Sequence, residues 1–157
     1  MTTLPPIYNI AHPPSVLVKE YLIAQAVGVD PTTSTDDYPI YVSVLPDDDS
    51  VKDKALAVID TTPVIQEEWI RNGQIWLRYG IQIIIRDDTY PNGFSKMKAV
   101  LDAVDSLKYT SLTYDSVTYQ IRSFKRTSEF ALGQEADKRR RQTFTVNGLL
   151  SVIDSSK

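Results

Sequence analysis

The chain of 157 residues contains no cysteine. That excludes disulfides, thiolate nucleophiles and cysteine-held metals. Histidine is nearly as scarce: the single one, His12, stands between Ala11 and Pro13 in a proline-rich start. On the sequence alone a general base there has no fixed position, and geometry comes before pKa. One histidine and no cysteine give Ser-His-Asp and Cys-His arrangements little to draw on. Neither GxxxxGK[ST] nor GxGxxG occurs, so no phosphate cradle is indicated. No apolar run reaches the roughly 18 residues that would span a membrane. The start, Met1-Thr2-Thr3-Leu4-Pro5-Pro6, lacks the basic opening and apolar stretch of a signal peptide, so the expected setting is a cytoplasm. No internal repeat recurs at a fixed period. No catalytic residue, cofactor or metal site is expected.

What is present is an ordinary folded composition, 42% hydrophobic and 24% charged, with a net charge of -3. The length suits one domain with a proper core. The expected division is an extended lead-in over 1–14, one domain over 15–153 and a frayed end over 154–157.

The centre of the chain organises the rest. Tyr79, Ile81, Ile83 and Ile85 alternate along one strand face, and Gln82, Ile84 and Arg86 make the other face mixed. Such a strand belongs inside a sheet. Pro91-Asn92-Gly93 reads as a turn with Asn92 as N-cap. Phe94, Met97, Leu101, Val104 and Leu107 then follow helical spacing, with Lys108 at the C-terminal end. Earlier, Ser15 is the expected N-cap of a helix over 16–27, stopped by Gly28. Residues 30–37 read as loop. Strands are expected over 40–45 and 55–60, the second ended by Thr61-Thr62-Pro63. After the second helix come a hairpin turning at Asp115-Ser116, a strand over 120–131, a polar loop over 133–138 and a last strand over 139–152. Separated helices with mostly antiparallel strands make the class α+β: a mostly antiparallel sheet, two packed helices and a protruding β-ribbon.

The ribbon is residues 64–77. Asn72-Gly73 is a strong hairpin signal with apolar residues on both sides, and both tryptophans, Trp69 and Trp76, flank it together with Ile70. Such a patch standing clear of a small domain is a partner surface; folded back, it would be core. Asp47-Asp48-Asp49, with Asp53 near, has carboxylates for a divalent ion but not the pattern of a calcium loop, and reads as a solvated acidic loop. Asp36-Asp37 and Asp87-Asp88 read the same way. Arg122, Lys125, Arg126, Lys138, Arg139, Arg140 and Arg141 put seven positive charges in twenty residues. They fit a polyanion backbone, salt bridges between subunits to the acidic loops, or a charged edge that prevents sticking, and no interleaved aromatics support base stacking.

The run Phe130-Ala131-Leu132-Gly133-Gln134-Glu135-Ala136-Asp137-Lys138-Arg139-Arg140-Arg141, leading into Phe144-Thr145-Val146-Asn147, resembles the C-terminal hairpin of bacteriophage tail terminator and minor capsid (tail-completion) proteins. The strands ending Ile83-Ile84-Ile85-Arg86 and Val58-Ile59-Asp60-Thr61-Thr62-Pro63 resemble that family too, so the likeness runs from Ser15 to Val152. It implies a non-catalytic virion subunit of the tail or neck. Such subunits form a ring, commonly hexameric, in the host cytoplasm, cap the tail tube and offer a joining surface to the head. Partners would be copies of itself, the tail tube protein and head-tail connector proteins, with transient contact to genomic DNA in the lumen and none to membrane. On that reading Trp69, Trp76, Ile70, Asp47, Asp48, Asp49, Arg139, Arg140 and Arg141 are subunit-interface candidates. Arg122, Lys125, Arg126 and Lys138 are lumen candidates. A connector or neck protein, or a nucleic-acid-binding module using the basic hairpin, are the alternatives.

Overall fold

In a computed structural model of the chain, described over residues 10–33, 38–46, 54–71, 74–127, 131–134 and 142–154, the elements follow the α+β pattern. Residues 62–71, 74–77, 131–134 and 154 are described as backbone only. The order is α1 (Pro14–Ala24), β1 (Ile40–Val42), β2 (Ala55–Arg71), β3 (Gln74–Asp87), α2 (Tyr90–Asp105), β4 (Lys108–Tyr114), β5 (Val117–Arg126), β6 (Ala131–Gln134) and β7 (Gln142–Asp154). The strands form one sheet in the order β1-β2-β3-β7-β5-β4, with β6 also on β7. Among the described strands β1 and β2 pair in parallel and the other pairs are antiparallel.

Strand β3 lies between β2 and β7, inside the sheet, as its one apolar and one mixed face suggest. Register puts Leu56 beside Ile85 and Val58 beside Ile83 on one flank, and Phe144, Val146 and Leu150 beside Ile85, Ile83 and Tyr79 on the other. These residues are buried. They form one cluster with Leu17, Val18, Tyr21 and Leu22 of α1 and Met97, Val100 and Val104 of α2. Both helices therefore bury their apolar stripes on a single sheet face. Each full burial of such a side chain is worth about 1.5–3 kcal/mol.

Several boundaries differ from the sequence expectation. Helix α1 begins at Pro14, so Ser15 is inside its first turn and does not cap it. It stops at Ala24, and Ala26 takes the left-handed backbone (φ 58°). Gly28 serves close approach instead, because a Cβ there would sit 2.5 Å from the Tyr38 carbonyl oxygen and 2.7 Å from the Ile40 side chain. Helix α2 begins at Tyr90 with Thr89 as N-cap, so Pro91, Asn92 and Gly93 form its first turn. Proline fits there, since its missing N–H would have no partner anyway. Gly93 is required by packing: a Cβ would meet the Phe144 ring at 2.6 Å. Lys108 opens β4 rather than closing α2. β1 ends at Val42, where Ser43 turns to φ 73°.

Strand β2 does not end at residues 61–63 but continues through them to Arg71. Gly133 and Gln134 belong to β6, paired with Thr143 and Gln142, so the polar loop starts later than expected. The expected strand over 120–131 is two, β5 and β6, both lying along β7, with a register shift in β5 between Ile121 and Ser123. Asp154 is part of β7, whereas 155–157 lie outside the described residues. The hairpin at Asp115 and Ser116 is as expected; both take positive φ (49° and 64°), the twist that a two-residue turn between β-strands needs.

Candidate functional site: a two-stranded arm and its root

The arm is made by strands β2 and β3 after they leave the sheet. From Ala55 to Thr61, β2 pairs with β3 without a break, against Arg86 to Gly80. Beyond Thr61 the pairing is Val64 with Arg78, Glu68 with Trp76 and Arg71 with Gln74, with a register shift at each step. β7 accompanies β3 only as far as Leu77. β1 accompanies β2 only over Leu56 to Val58. Residues 74–76 thus pair with β2 alone. The sequence-expected ribbon is present as a backbone element carrying Trp69, Ile70 and Trp76; its turn, Asn72 and Gly73, lies outside the described residues.

The arm's root is fixed by polar contacts that the sequence did not reveal. The Ser15 N–H donates to Asp60 Oδ1 at 2.9 Å and the Ser15 hydroxyl to Oδ2 at 2.6 Å. Asp60 of β2 therefore supplies the carboxylate that the first turn of α1 lacks from its own cap, since Pro13 offers no side-chain bond. Beside it runs a cleft of about 360 Å³ lined by Ile10, His12, Pro14, Asp60, Tyr79 and Gly80, among others.

His12 is held, contrary to the sequence expectation. Its Nδ1 accepts from the Tyr119 hydroxyl at 2.5 Å, and its Nε2 lies 3.4 Å from Asp115 Oδ2. Since a carboxylate only accepts, Nε2 carries the proton in this arrangement. The ring meets Tyr114 edge-on at 4.9 Å. Tyr, His and Asp in line resemble a proton relay, but Tyr119 is 0% exposed. No substrate can reach its oxygen, so the chain of bonds ties the lead-in to the β4–β5 hairpin and does not create a nucleophile.

The opposite end of the sheet holds a second polar group. Asp87 is not a solvated loop residue: it is 0% exposed and accepts from the Tyr38 hydroxyl and, at 3.1 Å, from the Thr89 N–H. Burial alone would raise the Asp87 carboxyl, but hydrogen bonds from Asp88, Tyr38 and Thr89, with the charge of Lys54, outweigh it and hold the pKa below the ordinary carboxylate value. Its neighbour Asp88 is pushed up, first by the hydrogen bond it makes to Asp87, then by burial and repulsion. Burial, and then the bond and charge of Asp87, drive the Tyr38 hydroxyl pKa well above its usual value. Lys96 stands 4.2 Å from the centre of the Tyr38 ring and donates to the Val27 carbonyl oxygen at 2.6 Å. Arg86, fully buried, donates to the Pro46 carbonyl oxygen at 2.8 Å.

Of the seven basic residues singled out in the sequence, three lie among the described residues. Arg126 makes a two-pronged pair with Asp105 of α2, at 2.8 and 3.0 Å. Arg122 and Lys125 are exposed on β5. Lys138, Arg139, Arg140 and Arg141 lie outside the described residues, as do Asp36, Asp37, Asp47, Asp48, Asp49 and Asp53. Their anchors are informative all the same. Lys54 and Ala55, which follow the acidic segment, and Gln134 and Gln142, which bracket the basic one, are all at the Arg86–Asp87 end of the sheet.

No family model matches the sequence, and no curated protein matches it. Among solved structures 22 chains do match. One is a chain of the "Virion of native gene transfer agent (GTA) particle", 12% identical, with a TM-score of 0.58 over 92% of this chain and 98% of that one. Another, also 12% identical, covers 85% of this chain and 94% of its own with a TM-score of 0.42, too low to argue from. At such identities the likeness is one of fold.

Proposed function

We propose that this chain is a structural subunit of a phage-like virion, which assembles with copies of itself into a ring at the end of a tail tube and offers a joining surface to the head. The observation that carries the reading is the fold likeness to a virion chain over nearly the full length of both chains. The order of the strand and hairpin motifs along the sequence supports it independently. So does the arm: two strands that outrun their neighbours are marginal in water and need an external surface for their apolar residues. Catalysis is no part of the proposal; the relay-like group found among the described residues ends on a buried tyrosine. The nucleic-acid reading is weakened by the commitment of Arg126 to Asp105.

The test is the solution mass by light scattering, alone and with tail tubes added. A closed multiple of the 17.7 kDa subunit that blocks further tube growth is expected. A chain that stays monomeric with tubes present contradicts the proposal. A ring that binds isolated head connectors and ignores tubes moves the subunit to the neck instead.

A further inference from the structure

Among the described residues the sheet ends in two open strand edges of different character. One is the outer edge of β2 beyond Val58, where β1 stops. Among the described residues no strand pairs with it there, so residues 59–71 present about 40 Å of unpaired backbone at the usual rise per residue. This edge carries Pro63 and three register shifts. Proline and bulges are the devices that keep an edge from pairing at random. The other is the outer edge of β4. Its register with β5 is unbroken from Thr110 to Tyr114, opposite Ile121 to Val117. Residues 110–114 hold no charge, proline or glycine, and none of the guards seen on β2. Beside them Tyr109 takes φ 46° and is 85% exposed, the most exposed large apolar side chain among the described residues.

We infer that the β4 edge is a strand-addition site whose occupant is the β2 edge of the arm from a second copy of this chain. The inference rests on the self-assembly proposed above and assigns its surfaces. A regular, uncharged edge of about 17 Å is a template that a soluble protein leaves open only for a partner. The arm supplies more than that length of unpaired backbone, so a whole β4 edge can be satisfied. The two edges lie at opposite ends of one sheet, so pairing one with the other is head-to-tail, the kind of contact that closes into rings. The irregular side of the contact fixes where on the arm the regular side can sit. Charge agrees: the only charged residue of β4 is Lys108, and the arm carries Glu67 and Glu68 against Arg71.

The absence of native cysteine makes the test clean. Single-cysteine chains carrying Ser111→Cys or Thr113→Cys on β4 are mixed with chains carrying Thr61→Cys, Val64→Cys or Glu68→Cys on the arm, and oxidised while the mass is followed. Disulfides need Cβ atoms about 4 Å apart, so only registered positions will link. At least one β4–arm mixture is expected to give a linked pair in high yield. The outward amides of residues 110–114 should also exchange at least about tenfold more slowly in the assembly than in the dissociated subunit. Assembly with no β4–arm link anywhere in the grid overturns the inference and leaves the proposed function standing. Efficient β4-to-β4 links overturn it in favour of a twofold contact. A chain that never assembles overturns both.

Discussion

The same two strands behave differently in two halves of their length. Between Ala55 and Thr61, β2 and β3 run in unbroken register, and β3 is flanked by β7 as well. Between Thr61 and Arg71, nine residues of β2 face five of β3, and β7 accompanies β3 only as far as Leu77. In the first half one face is buried, so a slip of one residue would turn Ile81, Ile83 and Ile85 out of the core. In the second half, among the described residues, only β3 from Leu77 onward keeps a second partner, and extra residues of β2 are tolerated as bulges. The inner half is specified by the subunit's own core. On the reading above, the outer half is specified by what it meets.

That contrast can be broken at either end. The largest effect should come from the inner half: Phe144→Ala removes a fully buried ring packed on Ile85 and Gly93, and is expected to cost about 3–5 kcal/mol in the unfolding of the dissociated subunit. Denaturant midpoints measure it. Ile83→Ala should follow at about 2–5 kcal/mol. For both, whatever remains folded should assemble normally.

The root of the arm is intermediate. Asp60→Ala deprives a buried serine and a helix N-terminus of their acceptor, and is expected to cost about 1–3 kcal/mol. Urea unfolding checks it, with Asp60→Asn as a partial rescue. Tyr38→Phe removes the donor to buried Asp87, at a similar expected cost of about 1–3 kcal/mol. It also carries a pH signature. The folded pKa of Tyr38 is raised, so its contribution is complete below the ordinary tyrosine value of about 10 and fades as pH rises through the higher folded value. Tm measured from pH 9 upward should fall less steeply in the variant than in the wild type. At the acid end, the lowered pKa of Asp87 means its contribution is present above about pH 4 and lost as pH falls further.

The smallest effect on the subunit is expected from Trp69→Ala, below about 1 kcal/mol if the arm meets its partner only in the assembly. Its effect should appear in assembly yield. A variant that unfolds much more easily yet assembles normally would make Trp69 core and remove the contrast between the two halves.

Much of the inner half was legible in the sequence because period and burial agree there. Tyr79 to Ile85 alternate, α2 has its apolar stripe, and Asp115-Ser116 turn where strands must reverse. The ribbon was legible from Asn72-Gly73 and its flanks. What escaped reading was set by contacts remote in sequence. Ser15 looks like a cap but answers to Asp60, 45 residues away. His12 looks loose but answers to Tyr119, 107 residues away. Asp87 looks like half of an exposed acidic pair, yet Tyr38 and Thr89 make its burial tolerable. Pro63 looks like a stop, and would be one in a strand paired on both sides; among the described residues β2 has a partner on one side there.

The most direct test of the account is to shorten the arm. Residues 63–76 are replaced by a two-residue Asn-Gly turn, and the solution mass of the shortened and full chains is compared by light scattering, with thermal unfolding alongside. The full chain should assemble to a multiple of 17.7 kDa, and the shortened chain should fold cooperatively and stay at the mass of one subunit. A shortened chain that still forms the ring, or a full chain that never does, contradicts the central claim.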